Sequence, residues 1–194
     1  MKAKNVFFIL LAFLISLSIM IYFGKDFYQK APPIPRAVAT HHELLFTHED
    51  IKEGQKLWHS QGIVQGSSKD WVKDWHAREA QTLVNIWSQK ETGKDFEQLE
   101  DSQKNFFLNR LSAEYMKSGI DADGRLTLSK ERAQAIKSVS EYYLSLFEKD
   151  KKFSDLDTSE KKNQVLAYFF WRSWITTTKR EMSDELKTLR FPFK

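Results

Sequence analysis

The chain contains no cysteine among its 194 residues. That absence excludes disulfides, thiolate metal sites, a cysteine nucleophile and the C-x-x-C-H attachment of a c-type haem. It fits an exported domain without requiring export. Charge of one sign is also missing. From Lys25 onward 28 basic residues face 26 acidic ones, a net of +2, which gives no electrostatic case for nucleic acid. No internal repeat, low-complexity tract, phosphate-cradling glycine loop, nucleotide fingerprint or Ser-His-Asp arrangement occurs. Past Phe23 no apolar run approaches the roughly 20 residues of a membrane span. The richest, Val165 to Ile175, is 11 residues long and contains Arg172, so it is expected to be a core helix.

What is present is apolar and aromatic. The composition is 41% hydrophobic with six Trp and fifteen Phe, enough for a substantial core in one domain of ordinary size. Most of these rings fall in helical stripes and are expected to pack.

Val6 to Phe23 is an 18-residue run interrupted only by Ser16 and Ser18, about 27 Å of helix at 1.5 Å per residue. It is longer than the roughly 7–15-residue apolar region of a cleaved signal peptide, and Met20 to Gly24 offers no small-x-small cleavage site. The expectation is an uncleaved transmembrane signal anchor contacting membrane lipid. Lys2 and Lys4 place its N-terminus in the cytoplasm and the rest outside the inner membrane. Pro32, Pro33 and Pro35 then hold an extended spacer.

Thr47 with Asp50 reads as a short capping box, with Phe46 placed to staple against Ile51. Ile51, Gly54 and Trp58 share a face of that helix. Gln61 to Lys69 reads as a polar loop, and Asp70 to Gln89 as a helix carrying Trp71, Trp75, Leu83, Ile86 and Trp87. A third helix spans Gln103 to Lys117. Ile120 to Ser129 reads as a β-hairpin turning at Asp123-Gly124, the one convincing β element. Ser129 caps a helix with Ala133, Ile136, Val139, Tyr143, Leu146 and Phe147 on its buried stripe. Asp157 or Thr158 caps the last helix, Gln164 to Thr178.

Several motifs occur in a fixed order: P-P-I-P from Pro32, L-F-T-x-E-D-I-x-x-G-Q-x-x-W from Leu45 to Trp58, and D-W-x-x-D-W-x-x-R-E from Asp70 to Glu79. G-x-L-T-L-S-x-x-R-A-x-A-I from Gly124, Y-Y-x-x-L-F from Tyr142 and F-F-W-x-x-W-x-x-x-T-x-R from Phe169 to Arg180 follow. This series resembles the extracytoplasmic region of quinol-dependent nitric oxide reductases. The resemblance implies a cytochrome c-like fold that has lost its haem, lying between the first and second transmembrane helices. It also implies that catalysis belongs to a haem-copper-oxidase-like bundle holding two b-type haems and a non-haem iron, which would follow Lys194.

Three stretches depart from the family pattern. The segment between Trp58 and Trp71 is short, W-L-H-R-E becomes W-H-A-R-E at Trp75 to Glu79, and the R-P-G turn after Arg180 is replaced.

The five histidines form no convincing ligand set. His48 and His59 lie about 16 Å apart along one helix and cannot share a metal. His41 and His42 are adjacent in an irregular segment, where a zinc site would need more converging ligands. His76 and Glu79 form an i, i+3 pair, read as structural. A calcium loop placed with Gly124 sixth would have Gly119 first and Lys130 twelfth, where acidic ligands are required.

The chain is therefore expected to be mainly α. It comprises a transmembrane anchor (1–24), a Pro-rich linker (25–45), a haem-free cytochrome c-like domain with a small hairpin (46–180) and a tail (181–194). No catalytic, cofactor or metal residue is assigned. Trp58, Trp71, Trp75, Arg78, Glu79, Phe170, Trp174 and Arg180 are expected to serve packing and docking to a separate reductase bundle. The alternative is an autonomous anchored binding or sensing module derived from the same domain.

Overall fold

Thr47 is both the last residue of a strand and the N-cap of a helix, so the start of the domain is organised around it. Its Oγ1 accepts from the Asp50 backbone N–H at 3.1 Å, and Asp50 Oδ2 accepts from the Thr47 backbone N–H at 2.8 Å. This reciprocal box satisfies two backbone donors that a helix start would otherwise leave open. The computed structural model describes Phe13 and residues 15–18, 33–60, 64–117 and 119–178. The chain divides between Pro33 and Ile34 into two units.

In the first unit Phe13 and residues 15–18 are helical. Among the described residues no helix is long and apolar enough to cross a membrane. The transmembrane helix expected over Val6 to Phe23 is therefore not supported: the described helical residues there account for about 9 Å, against roughly 30 Å of hydrocarbon. The rest of that segment, and with it the expected lipid contact, lies outside the described residues. The corrected architecture is mainly helical with a small sheet.

The second unit contains β1 (Ala37–Ala39), β2 (Leu44–Thr47), α1 (His48–Ser60), α2 (Val64–Thr92), α3 (Asp101–Lys117), β3 (Arg125–Thr127), α4 (Lys130–Lys149) and α5 (Ser159–Thr178). The order across the sheet is β2-β1-β3, with β1 antiparallel to β2 and parallel to β3. Val38 is in register with both Phe46 and Leu126, and all three side chains are buried.

This sheet corrects the expected hairpin. Asp121 to Gly124 does turn, with Gly124 at φ +78° and its N–H donating to the Asp121 carbonyl at 3.0 Å. The returning chain, however, makes one antiparallel bridge, Ile120 to Leu126, and β3 pairs instead with β1. The two other strands lie where the sequence reads as spacer and irregular chain. A second correction is that α2 begins at Val64, inside the segment expected to be a loop.

α2 is 29 residues long, about 43 Å, and runs through two buried clusters. Its first half carries Trp71 and Trp75 into an aromatic core with α1, α4, α5 and the sheet. Its second half carries Ala80, Leu83, Val84 and Trp87 into a smaller core with Phe107, Leu111 and Tyr115 of α3. α5 is buried over the whole stretch Val165 to Trp171, as its unbroken apolar run predicts. Thr158 caps it, its Oγ1 accepting from the Lys161 N–H at 3.2 Å. α1 crosses the start of α5 so closely that a Cβ on Gly54 would stand 1.8 Å from the Gln164 carbonyl oxygen.

Candidate functional site

Where the two cores meet, one turn of α2 presents Asp74, Trp75, Arg78 and Glu79 toward α4. Arg132 lies on the α4 stripe with Ile136, Val139 and Tyr143, and the Ser129 cap fixes the helix start, Ser129 Oγ accepting from the Arg132 N–H at 3.2 Å. Arg132 Nε donates to Glu79 Oε1 at 2.8 Å, with both side chains 1% exposed. Trp75 Nε1 donates to the other carboxylate oxygen at 3.3 Å. The Arg132 guanidinium carbon also lies 4.5 Å from the Tyr115 ring centroid, so a charge buried between helices is both paired and stacked.

A second network uses the neighbouring residues of α2. Asp74 Oδ2 accepts from Arg78 Nε at 2.7 Å and from the Tyr143 hydroxyl at 2.6 Å. Arg78 covers the Tyr142 ring at 3.7 Å, and Tyr143 stacks on Trp75 at 5.3 Å and 12°. Burial, then the bond to Asp74, pushes the Tyr143 hydroxyl well above its ordinary range. Burial, then the nearby Glu79 charge, does the same to Tyr115 against the opposing pull of Arg132. Burial alone would lower Arg78, but the hydrogen bond and charge of Asp74 outweigh it and leave the guanidinium above its usual value.

Both carboxylates in this region are engaged by donors from their own domain. Their chemistry is to hold α2 against α4; neither is presented as a general base or metal ligand. His76 packs against the Tyr115 ring at 5.2 Å, and Glu79 serves Arg132 and Trp75. His41 and His42 are exposed between β1 and β2, His48 opens α1, and His59 is exposed near Tyr168. Among the described residues no three His, Asp or Glu side chains converge as metal ligands.

The singled-out residues separate by position. Trp58, Trp75, Phe170, Trp174 and Glu79 are buried, Trp71 and Arg78 are partly so, and Arg180 lies outside the described residues. The buried side chains among them pack the interior. Sequence reasoning missed Arg132, Asp74 and Tyr115 as polar partners. A signal for Arg132 was present, since a cation at helical spacing with Ile136, Val139 and Tyr143 requires a buried counter-charge. An open surface depression of about 410 Å³ is lined by Leu45, Phe46, Asp50, Ser159, Glu160 and Asn163.

The resemblance noted in the sequence, to a cytochrome c-like fold, raises the question of haem. There is no cysteine for covalent attachment. The interior is filled by its own rings: Phe169 lies 4.7 Å from Trp58, 6.1 Å from Trp71 and 5.7 Å from Tyr143.

No curated protein matches the chain. The family model for the NorB cytochrome c-like domain of nitric oxide reductase matches residues 35–192, from just before β1 to beyond α5. A match over that span, carried on a helical body whose aromatic core and buried ion pair use the ordered motifs, places the chain in the family of NorB cytochrome c-like domains of nitric oxide reductase.

Proposed function

We propose that this domain is a non-catalytic docking module of a quinol-dependent nitric oxide reductase. It lies outside the cytoplasm, and haem b and non-haem iron are carried by a separate membrane-embedded part. The observation that carries this reading is the closed interior. Aromatic side chains pack it, and the carboxylates of Glu79 and Asp74 are already paired with Arg132, Arg78 and Tyr143. A body built in this way supplies shape and surface and leaves electron transfer to its partner.

Affinity purification of the full chain from native membranes tests the proposal. The expected result is co-purification of a haem-b-bearing polypeptide with the chain. A Soret band retained by the isolated chain would overturn the haem-free reading. Recovery without any haem protein would overturn docking and favour the autonomous binding module.

A further inference from the structure

We infer that Tyr143 is the electron donor that repairs oxidised tryptophans of the aromatic core, with Asp74 receiving its proton. A one-electron oxidising equivalent that strikes the domain then ends as a tyrosyl radical at one defined place. Three of the six tryptophans lead there. Trp71, which is partly exposed, has its ring centroid 5.8 Å from that of Tyr143, and Trp75 stacks on Tyr143 at 5.3 Å and 12°. Trp58 connects through Trp71 at 6.1 Å. Rings this close exchange an electron much faster than an indole radical reacts with bulk solutes.

The step balances within the domain. A diffusing inorganic radical takes one electron from Trp71 and leaves an indole radical cation. Tyr143 returns that electron, its O–H bond breaks, and the proton moves to Asp74 Oδ2 along the 2.6 Å hydrogen bond. The products are an intact Trp71, a Tyr143 phenoxyl radical, a protonated Asp74 and the reduced oxidant. At neutral pH a phenol that gives up its proton with its electron is oxidised more easily than an indole, so the transfer runs downhill. An oxidised phenol is also a far stronger acid than a carboxylic acid, so the proton leaves even though Arg78 Nε donates to the same oxygen at 2.7 Å. Arg78 is a positioning residue that holds the proton acceptor against the phenol.

The surroundings select Tyr143 among the described tyrosines. The buried Tyr115 hydroxyl bonds to no acceptor, and the Arg132 guanidinium 4.5 Å from the ring centroid opposes loss of an electron. Tyr142 lies 5.3 Å from Tyr143 and is exposed, but Arg78 covers its ring at 3.7 Å and opposes oxidation in the same way. Tyr168 lies 6.1 Å from Trp171, yet of these four hydroxyls only that of Tyr143 donates to a carboxylate. The reaction is separate from the turnover assigned to the membrane-embedded part and needs no partner.

Pulse radiolysis of the full chain with azidyl radical as the oxidant reads the step directly, because indolyl and tyrosyl radicals absorb at different wavelengths. The indolyl signal is expected to convert to tyrosyl in a first-order process that is independent of chain concentration and slower in deuterium oxide. Tyr143→Phe, which keeps the ring, is expected to slow the conversion at least about tenfold and Asp74→Asn at least about threefold, whereas Tyr168→Phe leaves it at the wild-type rate. Conversion as fast in Tyr143→Phe as in the wild type, or faster at higher chain concentration, would overturn the inference. A wild-type rate in Asp74→Asn, or indifference to deuterium oxide, would overturn the path assigned to the proton.

Discussion

Phe169 sits among six rings, with centroid separations from 4.7 Å to Trp58 up to 6.4 Å to Trp75, Phe147 and Tyr168. The core at the other end of α2 is Ala80, Leu83, Val84, Trp87, Phe96, Leu99, Phe107, Leu111, Tyr115 and Ala135, where aliphatic groups and alanines separate fewer rings. Edge-to-face rings constrain angle as well as distance, whereas aliphatic groups constrain mainly volume. The aromatic half is therefore expected to be the more brittle. Glu79 and Arg132 bridge the boundary between the halves, which α2 also crosses as one continuous helix.

Several experiments break or sharpen this contrast. The largest effect is expected at the junction, where Arg132→Met leaves Glu79 buried without its cation and costs about 4 kcal/mol in urea unfolding. Replacing both partners, Glu79→Leu with Arg132→Met, is expected to restore much of that loss. A single mutant within about 1 kcal/mol of wild type would mean that the junction does not hold the halves together.

Next, Phe169→Ala is expected to cost about 4 kcal/mol and Leu111→Ala about 3 kcal/mol, both in a single transition reported alike by tryptophan fluorescence and circular dichroism. Two separated transitions would show that α2 does not couple the cores. Gly54→Ala forces the α1 and α5 backbones apart and is expected to cost about 2–3 kcal/mol.

The smallest effect concerns Tyr143. Its folded-state pKa is raised, so its contribution is fully present below the unfolded value near 10 and is lost as pH rises above it. The wild-type midpoint should fall above about pH 10, and Tyr143→Phe should flatten that fall while costing about 1 kcal/mol at pH 7. Alkaline sensitivity unchanged in Tyr143→Phe would assign the titration to Tyr115, whose burial raises it in the same direction.

Much of the helical frame was legible before the structure. Thr47 with Asp50, Ser129 with its following stripe, and the Phe107–Leu111–Tyr115 spacing each place a local chemical rule on consecutive turns. The strands were not legible. β1 is three residues of Ala-Val-Ala, and its parallel partner Leu126 lies far along the chain, so no alternation in either segment announces the pairing. The polar site was half legible: Arg78 and Glu79 stood out beside the tryptophans, but their partners did not. Asp74 serves Arg78 from the same helix and Tyr143 from another, and Arg132 reaches Glu79 from 53 residues away.

Composition and order alone determined that this chain lacks thiol chemistry, that its helices are capped at Thr47 and Ser129, and that its rings lie on stripes able to bury them. Those features depend on residues a few positions apart, where backbone geometry is the only intermediary. Only the tertiary structure decided that β3 leaves its own hairpin for β1, that Gly54 is the place where two helices touch, and that Glu79 and Arg132 neutralise each other in the interior. Each of these joins groups that no local period connects. Which distant partner a group takes is settled by packing the whole body, because a buried charge or an open strand edge is tolerable only where another element satisfies it.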